Sequence, residues 1–214
     1  MKVIATNIGK PTRFVWKGKT EETGIFKYPV SHPIFLGHED VDGDTVTDRK
    51  HHGGEYKACY LFSSEHYGYW KERFPDLPWS WGMFGENITL ERMDESNLLS
   101  GSVYELGSAV VQVTIPREPC YKLGIRFGDQ KIIDEFIHHG HPGTYLKVIR
   151  PGQVGMGDRF SLLEKAENSL SIADLYSLLY AKEKDQEMLR RALECPFLPD
   201  RTKVKLGRYQ KKGA

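Results

Sequence analysis

The first 165 residues alternate brief apolar runs with glycine and proline, and this spacing limits the fold more than any other feature of the chain. Runs rich in Val, Ile, Tyr and Phe and bounded by turn residues read as strands. They fall at Lys2–Ile8, Lys57–Phe62, Asn87–Leu90, Ser102–Leu106, Ala109–Ile115, Thr144–Val148 and Arg159–Leu163. Leu106-Gly107-Ser108-Ala109 joins two of them as a hairpin, because glycine tolerates the positive φ of such a turn. Pro151-Gly152 and Met156-Gly157-Asp158 mark two further turns. Many short strands with few long helices predict a mainly β domain, a barrel or a sandwich.

Two helices are expected inside this part. Ser63–Arg73 opens on a capping serine, and Gln130–His138 gathers Ile132, Ile133, Phe136 and Ile137 on one face. Phe74–Phe84 is read as a loop whose aromatics pin it over the core. After residue 165 the pattern turns helical. Ser171 caps a first helix carrying Ile172, Leu175, Tyr176 and Leu179; Gln186–Cys195 forms a second, stopped by Pro196; Pro199–Leu206 forms a third. The organisation expected is therefore a β-rich domain over residues 1–165 and a small three-helix appendage over 166–214. That appendage is too short for a large core, so it docks onto its own domain or onto a partner, a second copy included.

With 30 Lys and Arg against 29 Asp and Glu the chain is nearly neutral, which excludes a globally basic nucleic-acid binder. No run approaches eighteen apolar residues, so no membrane span is expected. The opening Met1–Asn7 turns polar too soon for a signal peptide. Cys59, Cys120 and Cys195 are too few and too far apart for a disulfide framework or a CxxC zinc site, so the expected setting is a reducing cytoplasm.

Polar residues concentrate in Gly43–Lys57, which holds Arg49, Lys50, His51, His52, the pair Gly53-Gly54, and Lys57. Paired glycines let backbone N–H groups close around an anion, and Arg and Lys add charge, so the segment reads as a phosphate-binding loop. It has neither the GxxxxGK[ST] nor the GxGxxG pattern of nucleotide folds, and a charged surface hairpin fits the spacing equally well. A second cluster is Pro116-Arg117-Glu118-Pro119-Cys120-Tyr121-Lys122. A cysteine at a helix start near Arg117 and Lys122 stands where an anionic sulfur is favoured, so Cys120 is the candidate nucleophile or soft-metal ligand. Cys59 and Cys195 read as core thiols. Asn87, at a loop-to-strand junction, serves either to orient a ligand or to form a turn. His51-His52 and His138-His139-Gly140-His141 match no usual zinc spacing, and the latter group reads as the end of a helix.

Asp48-Arg49-Lys50-His51-His52-Gly53-Gly54 with Lys57, then Phe84-Gly85-Glu86-Asn87-Ile88-Thr89, then Pro116–Leu123 and Pro142-Gly143-Thr144-Tyr145, closely resemble the MOSC domain in its stand-alone YiiM-like branch. The resemblance implies a β-barrel-like fold with a three-helix appendix and a pterin-based molybdenum cofactor. It implies reduction of N-hydroxylated small molecules, including hydroxylaminopurine, with electrons from a separate protein, since no flavin, haem or iron–sulfur signature is present. By motif, Cys120 corresponds to the sulfur donor to molybdenum, while Arg49, His51, His52, Lys57, Asn87 and Arg117 correspond to the surrounding pocket. His51 or His52 is the expected proton relay, with His52 taken as the catalytic one. In sulfurase-type relatives the same cysteine is discussed as a sulfur carrier, so a carrier or cofactor-binding module without turnover is the alternative.

Overall fold

The computed structural model describes residues 1–49 and 53–211. Alternation along the strands sets the core. In β9 (Ala109–Pro116) the inward residues Ala109, Val111 and Val113 are fully buried, while Val110 and Gln112 lie on the half-exposed face. The remaining strands are β1 (Val3–Gly9), β2 (Thr12–Trp16), β3 (Lys19–Thr23), β4 (Lys27–Val30), β5 (Ile34–Leu36), β6 (Cys59–Ser63), β7 (Ile88–Leu90), β8 (Val103–Leu106), β10 (Thr144–Arg150), β11 (Gly152–Val154) and β12 (Phe160–Glu164). Eight of them form one sheet in the order β12-β8-β9-β10-β6-β7-β1-β4. Neighbours are antiparallel except β6 and β7, which run parallel from Leu61 opposite Ile88. A parallel pair needs a long crossover, and here it is supplied by α1 (Tyr67–Arg73) and the aromatic loop that follows.

The mainly β class expected from the sequence is present, but the barrel is not closed. β12 and β4 remain the sheet's edges, and the start of β1 meets the start of β12 through the single bridge Lys2–Arg159. β2 with β3 and β5 with β11 stand outside the large sheet as separate two-stranded ribbons. Ribbon β2–β3 has half-exposed faces on both strands, so its sequence carried no apolar alternation to announce it.

Two short helices follow β9, α2 (Tyr121–Phe127) and α3 (Ile132–His139), and α3 ends on Gly140 in the left-handed region. The C-terminal helices are α4 (Ile172–Tyr180), α5 (Gln186–Glu194) and α6 (Asp200–Gly207). Ser171 Oγ accepts from Asp174 N at 3.0 Å, the cap that the sequence indicated. Ile172, Leu175, Leu189 and Leu206 belong to the same buried cluster as the sheet residues Val111, Val113 and Ile115. The appendage therefore covers its own domain's apolar face rather than standing apart. Among the described residues no helix is long and apolar enough to cross a membrane.

Candidate functional site

The ends of β4, β6, β9 and β10, with the loops before β6 and β7, surround a cleft of about 650 Å³ open to solvent. Its walls bring together Lys57, Asn87, and the pair Arg117 and Cys120 from three separate stretches of sequence. Lys27, Asp44, Lys122, Tyr60 and Tyr145 also line it. Four cationic side chains thus face two carboxylates, Asp44 and Asp48, among the described lining residues.

Each polar wall residue is held by a specific partner. Asp44 accepts from Gly9 N at 2.7 Å, from Asn87 Nδ2 at 2.9 Å and from Lys27 Nζ, with the carboxylate and the ammonium both almost wholly buried. Asn87 Oδ1 accepts from Tyr60 N at 3.2 Å. Its amide is thus committed on both sides, and Asn87 brackets Asp44 to β6 while lining the cleft. Glu86 beside it is fully buried and ties the preceding loop: it accepts from Gly82 N at 2.9 Å, Phe84 N at 3.1 Å, Thr89 Oγ1 at 2.9 Å and the Tyr67 hydroxyl. Burial without a cation raises its carboxyl above the usual range.

Arg117 is 5% exposed, and its guanidinium lies over the rings of Tyr60 and Phe136, 5.4 Å from each centroid. Its Nη1 is buried and, among the described residues, has no hydrogen-bond acceptor. A buried, permanently charged donor left unsatisfied is costly, so an acceptor brought by a ligand would relieve it. Lys57 sits over the Tyr145 ring at 5.3 Å, and burial lowers its ammonium from the usual lysine value. Gly54 precedes it at φ +92°, a conformation suited to glycine, and the backbone then turns once through Glu55–Lys57 into β6.

Cys120 stands at the start of α2 in an extended conformation, half-buried on the cleft wall. Cys59 and Cys195 are buried, as expected of core thiols, and burial pushes the Cys59 thiol up. The Pro116–Pro119 turn that presents Cys120 is also held by the appendage. Lys205 of α6 pairs with Glu118, and Leu175, Leu179 and Leu206 line a small cavity together with Ile115 and Pro116.

Arg49 is not among the cleft-lining residues. It is exposed and bonds Asp40 at 2.8 Å and Glu39 at 3.1 Å. Lys50, His51 and His52, including the expected proton relay, lie outside the described residues. Sequence reasoning missed Lys27, whose role depends on Asp44 seventeen positions away, a pairing that no local pattern encodes.

Residues 48–161 match a family model of the MOSC domain, and residues 170–205 match that of the YiiM-like 3-alpha helix domain. The Bacillus subtilis protein YflK is 36% identical over 191 residues, which are 89% of this chain and 86% of that protein. A Gibberella moniliformis protein named a reductase is 30% identical over 180 residues, 83% of this chain but 31% of that much longer protein. The crystal structure of YiiM from Geobacillus stearothermophilus superposes with a TM-score of 0.81 at 29% identity, covering 98% of this chain and 99% of the other. The chain belongs to the MOSC domain family, in its YiiM-like branch.

Proposed function

We propose that the cleft holds the pterin-based molybdenum cofactor associated with this family, and that the loaded protein reduces N-hydroxylated small molecules such as hydroxylaminopurine. The observation that carries the reading is Arg117 Nη1, a buried donor without an acceptor among the described residues, in the same cleft as a half-buried thiol. The residues fit the group. A thiolate suits a soft, redox-active metal, and guanidinium and ammonium suit a phosphate. Cys120 would ligate the metal, Arg117 and Lys57 would hold the anionic part, and Lys122 would add charge at the rim. When bound, the cofactor supplies the two-electron chemistry by which an N-hydroxyl group, with two protons, becomes an amine and water.

The chain's own work is to bind and orient. Tyr60 and Phe136 fix the plane of the Arg117 guanidinium, Glu86 fixes the Gly82–Thr89 loop, and the Glu118–Lys205 pair holds the turn bearing Cys120. Ile25 and Phe84 line the cleft with apolar surface that sheds water from a bound ring. His52 is proposed as the proton relay, since imidazole titrates near neutrality. Electrons come from a separate protein in a cytoplasmic setting, and a relative named as a reductase supports this class of chemistry.

The test is production in a host that makes the cofactor, followed by measurement of hydroxylaminopurine reduction with a redox-partner protein. The reading requires turnover by the wild type and at least a ~100-fold loss in Cys120→Ala, the scale seen when a directly participating group is removed. Loaded protein that turns over no N-hydroxylated compound would refute the reductase. A persulfide on Cys120 in such inactive protein would establish the sulfur-carrier alternative.

A further inference from the structure

Away from the cleft, three imidazoles and a buried carboxylate converge from three parts of the chain. His66 ends the single turn that leads into α1, Glu95 lies in the loop after β7, and His139 and His141 flank the end of α3. The Glu95 side chain is 2% exposed. Its Oε1 accepts from Gly143 N at 3.2 Å, and its Oε2 lies 3.1 Å from His141 Nδ1. Among the described residues no Lys or Arg forms an ion pair with it. His66 stacks on His141 with centroids 4.1 Å apart, and a ring nitrogen of His139 lies 3.3 Å from His66 Nδ1. One ligating atom from each of His66, Glu95 and His141 falls within 4.8 Å of the others.

We propose that His66, Glu95 and His141 form a binding site for a divalent transition-metal ion of the zinc class, with His139 holding the His66 ring. Metal–ligand bonds of about 2.0–2.2 Å set tetrahedral ligands roughly 3.4 Å apart, so the present spacing closes with small side-chain rotations. Two imidazoles and one carboxylate suit zinc, cobalt or nickel; an oxygen-only set would suit magnesium or calcium, and thiolates would favour copper(I). A hydrogen-bonded His141–Glu95 pair alone accounts for neither His66 nor His139. A ring nitrogen contact that orients a ligating histidine is a usual companion of such sites.

The position gives the ion a structural consequence. Gly143 stands at φ +68°, where an added Cβ would lie 2.2 Å from Leu61 O, so its N–H is fixed towards Glu95. The neighbouring Pro142 carbonyl accepts from the Tyr60 hydroxyl at 2.7 Å, and Tyr60 is the ring beneath Arg117. An ion here would tie α1, the loop after β7 and the end of α3 together behind the cleft wall. No residue of this cluster lines the cleft.

The test is cobalt(II) titration of the tag-free, chelator-stripped full chain, followed by displacement with zinc. One equivalent should bind and give visible d–d bands of tetrahedral intensity without a sulfur-to-cobalt charge-transfer band. His141→Ala, at a half-exposed position and with its fold checked by circular dichroism, should weaken binding by about 100-fold, and His139→Ala by about 10-fold. Absence of stoichiometric cobalt binding, a sulfur charge-transfer band, or unchanged affinity in both His141→Ala and Glu95→Gln would overturn the assignment. None of these readouts depends on the molybdenum cofactor or on turnover.

Discussion

The buried pair Lys27–Asp44 makes the sharpest prediction about how the cleft is held open. Asp44 receives three donors, from Gly9 N, Asn87 Nδ2 and Lys27 Nζ, with only 3% of its side chain exposed. Asp44→Ala leaves the Lys27 ammonium, 7% exposed at its side chain, without its counter-charge. Breaking a buried pair from one side costs about 3–5 kcal/mol, because the remaining charge stays desolvated. Total stability is on the order of 5–15 kcal/mol, so about a fifth or more is lost. For a chain of this size that lowers the melting temperature by roughly 6–20 °C. Lys27→Met should cost less, since Asp44 keeps its two neutral donors. The double variant Lys27→Met/Asp44→Ala should then be more stable than Asp44→Ala alone, because the stranded ammonium is gone. Urea unfolding of wild type, both single variants and the double variant measures the cycle. Asp44→Ala within about 1 kcal/mol of wild type, or a double variant at the sum of the singles, would refute the reasoning.

Other outcomes follow from the same geometry. Glu86 has a carboxyl raised by burial, so its contribution to stability is full below the ordinary value of 4.5 and is lost as pH rises through the raised value; wild type should exceed Glu86→Gln by more in acid than at neutrality, read by urea unfolding across pH. Lys57 has an ammonium lowered by burial, so phosphate affinity measured by calorimetry should fall as pH climbs towards 10.5, earlier than for an ordinary lysine, and Lys57→Met should lack that step. Ile172→Ala, at a fully buried position shared by α4 and the sheet, should cost about 2–5 kcal/mol in chemical unfolding; a near-neutral effect would mean the appendage folds independently of the sheet.

Much of the β framework was legible because buried strands such as β9 and β10 carry β-branched runs ended by glycine or proline, and Ser171 announced its helix through a cap. β2 and β3 escaped because a two-stranded ribbon exposed on both faces has no apolar period to read. Openness of the sheet escaped for a different reason, since closure depends on strand tilt and register, which composition does not encode. Within the site, Cys120 and Arg117 were visible because they share one short motif, and Lys57 because it follows paired glycines. Lys27 and the His66–Glu95–His141 cluster were not, because each is assembled by contacts across long stretches of chain. Arg49, grouped with the pocket by motif, instead bonds two exposed acids.

The central claim is that one cleft binds a molybdenum-bearing anion through Cys120 and Arg117. Molybdenum and pterin should be quantified per chain in wild type, Cys120→Ala and Arg117→Met, each purified from a host that makes the cofactor. The account predicts near-stoichiometric molybdenum in wild type, its loss in Cys120→Ala, and loss of both metal and pterin in Arg117→Met with the fold intact by circular dichroism. Wild type purified without either, or Cys120→Ala retaining full molybdenum, would contradict it.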